Sequence, residues 1–337
     1  MQQLQACFKY VFILQLYMRA SVIRRRSKNL GMKKFISNHK NKEWRQDMKD
    51  ITRNRWKKVG YFSLSWVPML LYGTILMGVS IIGAIFIGVK SILSGEMDIY
   101  NSIMDGITQG SMLMGVIYAI LGIIATGLWY YFGCKRKNLK FPKEKVSFKL
   151  VLGVAGLAFT LQYVVNYFMT FIGILFPERM ENYIKLMELA GLDKITVAAI
   201  LYGVILGPIA EELTFRGLTL YFTEKCTKRF GIANTLQAFA FGIFHMNLIQ
   251  GAYAFFLGLV MGFLYRKYRS LYVTIIFHIF FNFLGFTMTY IDALLPQNIV
   301  FRVIWGILMC VAALILFVRI DKKELVPEEN GVEEWQE

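Results

Sequence analysis

Histidine and cysteine are scarce in this chain and acidic residues are outnumbered: three His, four Cys and 22 Asp or Glu stand beside 38 Lys or Arg in 337 residues. Cys7, Cys134, Cys226 and Cys310 are scattered without metal-type spacing, which excludes a cysteine metal site and a disulfide framework. The apolar piece Val11 to Met18 is too short to span a bilayer and has no small-residue cleavage site after it, so it does not read as a signal peptide. A false upstream start, with the chain beginning at Met32-Lys33-Lys34-Phe35, is another account of that stretch. No internal repeat is present.

Apolar sequence is what the chain has in excess. Hydrophobic residues make up 56% of it and the mean hydropathy is +0.47, which points to an all-α, polytopic integral membrane protein rather than a soluble domain. A formal charge of +16 on a soluble surface would suggest nucleic acid. Its distribution excludes that partner. Residues 1–58 hold 16 Lys or Arg against Glu43, Asp47 and Asp50, and the basic block ends where the first long apolar run begins. This is the positive-inside pattern of a cytoplasmic arm, with attraction to anionic lipid headgroups.

Run length and low charge predict about eight spans: Tyr61 to Val89, with Pro68 able to kink it, Gln109 to Gly133, Leu150 to Phe176, Ile195 to Phe222, Ala233 to Ile249, Ala252 to Tyr265, Leu271 to Ile291 and Ile299 to Ile320. The fifth and sixth, joined by a turn at Gly251, are short and either tilt or form a shielded re-entrant hairpin. Loops carrying Lys135 to Lys149, Lys225 to Arg229 and Arg266 to Arg269 fall on the side of the basic arm, and the loop with Glu96, Asp98 and Asp105 falls opposite. Both termini are then cytoplasmic. The organisation expected is a basic arm (1–58), a helical membrane domain (59–320) and an acidic, disordered tail (321–337). The small-residue pairs Gly203/Gly207 and Gly258/Gly262 are expected to serve close helix packing.

Inside the fourth span lies Gly207-Pro208-Ile209-Ala210-Glu211-Glu212-Leu213-Thr214-Phe215-Arg216-Gly217. An ionisable group at bilayer depth costs roughly 2.5 to 3.5 kcal/mol, so these three must face protein or water. Glu212 and Arg216 are i, i+4 and can pair as a structural ion pair. Glu211 points about 100° away and is left without a partner in its own helix. Pro208 removes a backbone donor, frees the carbonyl of Val204 and predicts a bend that opens space for water.

Of the three histidines, His39 sits in the basic arm as a solvated residue, whereas His245 and His278 lie within spans. At the helical rise, Glu211, His245, His278 and Asn282 lie roughly 17, 18, 11 and 17 Å from the cytoplasmic ends of their helices, close to one level. His278 with Asn282, and Phe241 with His245, are i, i+4 pairs. A carboxylate, two imidazoles and an amide around a wet pocket suit hydrolysis, with Glu211 taking a proton from water and His or Asn donating to an oxyanion. The set Glu211, His245 and His278 equally suits a divalent metal such as zinc. Residue types alone leave both open.

The ordered set Glu211-Glu212-x-x-x-Arg216, Phe241-x-x-x-His245 and His278-x-x-x-Asn282 resembles the CPBP family of intramembrane proteases, which includes CAAX prenyl endopeptidases and bacteriocin-processing or Abi-type proteins. The resemblance covers about 195–291. It implies a helical core whose site opens to the cytoplasm, a membrane-associated protein or peptide as substrate, Glu211 and His245 activating water, and His278 and Asn282 stabilising the oxyanion. It leaves metalloprotease and glutamate-type chemistry open. The alternative is a transporter or a bacteriocin-immunity, partner-binding protein using the same charges. A transporter would carry interrupted helices in two paired halves, and here the charges sit in one half.

Overall fold

A computed structural model of the chain describes residues 42–95, 98–134, 146–192 and 195–322. The first 41 residues with His39, most of the basic loop at 135–149 and the acidic tail from 323 onward lie outside them. The chain divides into two units, 1–57 and 58–337. In the first, the described part is helical. All that follows concerns the second.

The described residues contain helices and no strand, in the order α1 (Lys42–Leu93), α2 (Ile99–Trp129), α3 (Phe148–Leu175), α4 (Pro177–Leu189), α5 (Val197–Thr227), α6 (Phe230–Phe244), α7 (Leu248–Tyr268), α8 (Leu271–Ala293) and α9 (Ile299–Lys322). Among the described residues seven segments are long and apolar enough to cross a membrane, one each in α1, α2, α3, α5, α7, α8 and α9. The chain is an all-α, multi-pass membrane protein. Of the eight spans expected, the fifth falls short: α6 has 15 residues, reaching about 22 Å against a hydrocarbon layer of about 30 Å.

Polar side chains set the helix starts. Asp98 accepts from the Asn101 amide at 3.1 Å, Ser147 from Leu150 at 3.2 Å and Thr196 from Ala199 at 3.0 Å, each satisfying a donor that the first turn leaves unpaired. Lys228 and Arg269 end α5 and α7 in the left-handed region, at φ 55° and 48°. Each follows a last turn that holds basic residues (Lys225; Arg266 and Lys267), where cations oppose the helix dipole. Pro68 lies inside α1 without ending it. The segment after the third span is α4, with Pro177 in its first turn.

α3 is the most buried of the spans, and α1 and α9 the least. The core forms where Leu157, Ala158 and Leu161 of α3 meet Phe241 of α6, Met261 and Leu264 of α7 and Phe277 of α8. α6 and α7 form a hairpin whose backbones touch: a Cβ on Gly242 would stand 2.7 Å from the Gly251 carbonyl oxygen, and one on Gly251 would stand 2.8 Å from that of Gly242. Gly251 is therefore a crossing point inside α7 and not the turn expected of it. The reversal comes earlier, where Met246 takes φ 54° and Asn247 caps α7 through Ile249 and Gln250. Further down the hairpin, Gln237 donates to the Gly258 carbonyl at 2.8 Å and Asn234 to that of Leu259 at 3.0 Å, with Gly258 and Gly262 leaving room for the approach.

Candidate active site

Around Pro208, where a bend is expected, two π-helical segments, Ile200–Leu206 and Leu213–Thr219, lie on either side of the short α-helical piece Gly207–Glu212. The Gly207 amide bonds the carbonyl of Tyr202 and the Leu220 amide that of Phe215, each five residues back. Pro208 has no N–H to give, so the ladder is interrupted where the carboxylates begin. Such widened turns are frequent at functional sites.

This geometry sends the two glutamates into different surroundings. Glu212 and Arg216 are both fully buried and paired, Nη1 to Oε1 at 2.7 Å. The Glu211 side chain keeps 17% of its surface exposed. His278, from α8, joins them: its Nδ1 lies 3.0 Å from Glu212 Oε1 and its Nε2 3.6 Å from Glu211 Oε2. A carboxylate only accepts, so Nδ1 carries a hydrogen and Nε2 is the atom turned to Glu211. The Glu212–Arg216 pair is thus a seat for His278 as well as a closed ion pair, a connection that i, i+4 reasoning within one helix does not reach.

Phe241 occupies the centre. The Arg216 guanidinium carbon sits 4.5 Å from its ring centroid, and the His245 and His278 rings meet it edge-on at 4.8 and 5.9 Å. One ring therefore sets the spacing of a cation and two imidazoles, each against a favourable part of its quadrupole. His245 lies just past the end of α6 and not inside a span. Its Nδ1 is 2.8 Å from the Phe241 carbonyl oxygen, to which it donates, so in the neutral ring Nε2 carries the lone pair. The Asn282 amide donates to the Gly203 carbonyl of the first π segment at 2.8 Å, leaving its second hydrogen.

Among the described residues no three His, Cys, Asp or Glu side chains are placed to hold a metal ion, so Glu211, His245 and His278 do not come together as the zinc set that their residue types suggested. The described residues contain no disulfide.

With this geometry in hand, the comparison with known families is decisive for one segment. Residues 193–284 match the family described as Type II CAAX prenyl endopeptidase Rce1-like. That segment is similar to a CAAX-type intramembrane protease domain. The match takes in Glu211, Glu212, Arg216, Phe241, His245, His278 and Asn282, and agrees with the CPBP resemblance of the three motifs. No curated protein and no solved structure matches the chain.

Aromatic residues outside the matched segment also reach the site, and motif reading did not single them out. Tyr72 of α1 and Tyr118 of α2 form one buried cluster with Ala210, the residue before Glu211. Two glycines carry the signal that could have found this cluster. On α2, a Cβ on Gly122 would overlap the Tyr72 ring, and one on Gly115 would stand 2.7 Å from the Tyr202 ring. Seven residues apart, the two share a face.

Proposed function

We propose that the chain is an intramembrane endopeptidase of the glutamate type, hydrolysing a peptide bond of a membrane-associated protein or peptide near the cytoplasmic leaflet. The observation that carries this reading is the division of the carboxylates, Glu212 sealed with Arg216 and Glu211 open, with His278 between them. A purely structural ion pair has no use for the second carboxylate, and leaving a carboxylate at this depth is costly unless it works.

In this reading Glu211 and the free Nε2 of His245 hold a water, and Glu211 takes its proton. The water oxygen attacks the carbonyl carbon, and the charge that develops on the carbonyl oxygen is met by the second amide hydrogen of Asn282 and by His278 when its Nε2 also carries a hydrogen, Nδ1–H staying on Glu212. The protonated Glu211 then passes its proton to the amide nitrogen as the C–N bond breaks, giving a carboxylic acid and an amine. Nothing is consumed but water. The π segments and Phe241 keep these groups in place, so little reorganisation accompanies the reaction.

The name of the matched family supports a prenylated CAAX-like tail as the first substrate to try. The positive-inside rule supports a site opening to the cytoplasm and both termini on that side. The test is cleavage by purified protein in lipid of a farnesylated CAAX-like peptide and its unprenylated control, with Glu211→Gln beside the wild type. Glu211-dependent cleavage is expected; intact peptide from both proteins, with both folded, would favour a partner-binding or transport role.

A further inference from the structure

Two phenol hydroxyls, those of Tyr72 and Tyr118, lie buried with no hydrogen-bond partner. Tyr72 is fully buried and Tyr118 is 2% exposed, and their rings stack with centroids 4.4 Å apart. Tyr72 also stacks on Phe244, the residue before His245, at 5.2 Å, while both tyrosines pack with Ala210, the residue before Glu211. The pair therefore stands between the neighbours of the two groups assigned to water.

A buried hydroxyl without a partner costs about 1 to 3 kcal/mol, and folded proteins leave few of them. Packing does not account for the oxygens, because phenylalanine would fill the same stack at no such cost. Nor is the arrangement loose: Gly122 gives up a side chain to admit the Tyr72 ring, and Tyr202 meets Tyr118 edge-on at 6.4 Å. A buried water needs two to four polar partners. Two hydroxyls, each able to donate and accept, and one carboxylate supply that number.

We propose that Tyr72 and Tyr118 are positioning residues for the water that Glu211 activates, holding it by their hydroxyls from the side of α1 and α2. The proposal rests on the peptidase reading for its consequence and on the hydroxyl geometry for its site. It gives these two helices, which lie outside the matched segment, a part in the reaction.

The test uses Tyr72→Phe, Tyr118→Phe and the double variant in the full-length protein, since each removes one oxygen and keeps the rings. Each single change is expected to lower kcat about tenfold, the effect of one hydrogen bond worth about 1.4 kcal/mol, with KM unchanged and the melting temperature unchanged or raised. A second readout needs no substrate. The infrared band of the Glu211 carboxyl group, identified as the one that Glu211→Gln removes, is expected to shift in the double variant. A wild-type kcat in the double variant, or a Glu211 band that stays in place, overturns the proposal. Failure of the peptidase reading shows differently, as a wild-type protein with no Glu211-dependent cleavage, and the infrared measurement still decides where the water is held.

Discussion

His278 Nδ1 reaches Oε1 of Glu212 at 3.0 Å, the same oxygen that Arg216 takes at 2.7 Å. One buried carboxylate oxygen thus neutralises a cation of its own helix and fixes the ring of another helix. The pairing couples the stability of α5 to the orientation of the α8 imidazole, so changes at Glu212 should be felt both in folding and in turnover.

The two glutamates are expected to separate cleanly. Glu211→Gln removes the proton acceptor from a partly exposed position, so cleavage is lost while melting temperature and expression stay near wild type. Glu212→Gln strands Arg216 and loosens His278, and breaking a buried pair costs roughly 3 to 5 kcal/mol. A drop in melting temperature with loss of activity is the expected result. Full activity in Glu211→Gln would remove Glu211 from the role of base.

Replacing the whole pair distinguishes stability from chemistry. Buried ion pairs exchanged for apolar residues of similar size are often neutral or stabilising, so Glu212→Leu combined with Arg216→Met should recover much of the melting temperature lost in Glu212→Gln. Turnover should stay low, because His278 has lost its acceptor. If turnover returns with stability, Glu212 has no part in orienting His278.

Much of the architecture was legible because membrane helices announce themselves by length and composition, and the grouping of Glu211 with His278 followed from depth counted along separate helices. What the sequence did not show has physical causes. The turn at Met246 is made by a residue with no turn signature, in the left-handed region that Gly251 was expected to supply, while Gly251 serves a backbone crossing that depends on a partner helix. The bridge from His278 to both carboxylates and the place of Phe241 between two imidazoles are contacts across helices. Spacing within one helix carries no record of them. Ligand types, likewise, can be read in order, and their convergence cannot.

Orientation is checked by labelling. By the positive-inside rule the loop with Glu96, Asp98 and Asp105 is expected outside and the loop at Lys135 to Lys149 inside. In intact cells an impermeant thiol reagent should modify Ser94→Cys and leave Lys140→Cys untouched, with the natural cysteines replaced. The reverse pattern would turn the site toward the other face of the membrane.

Chelation separates the two chemistries left open by residue type. With no three metal-type ligands gathered among the described residues, turnover should survive exhaustive treatment with a strong chelator and should not rise on adding zinc. Activity lost to the chelator and restored by zinc alone would show that the ligands gather only when metal or substrate binds.

Asn282 tests the transition-state assignment most directly, because its amide already has one partner, the Gly203 carbonyl at 2.8 Å. If that bond were its whole purpose, Asn282→Ala would cost about 1 kcal/mol of stability and leave turnover alone. If the second amide hydrogen meets the developing oxyanion, the loss appears in kcat by about 10² to 10³, since the interaction strengthens only as charge forms on the oxygen. The second outcome is expected, with KM little changed. Asn282→Asp sharpens the comparison: it keeps the size of the side chain but sets carboxylate oxygens against the Gly203 carbonyl and the oxyanion alike. Its kcat should fall at least as far as that of the alanine variant. An aspartate variant that turns over at the wild-type rate would leave His278 as the only oxyanion donor of α8.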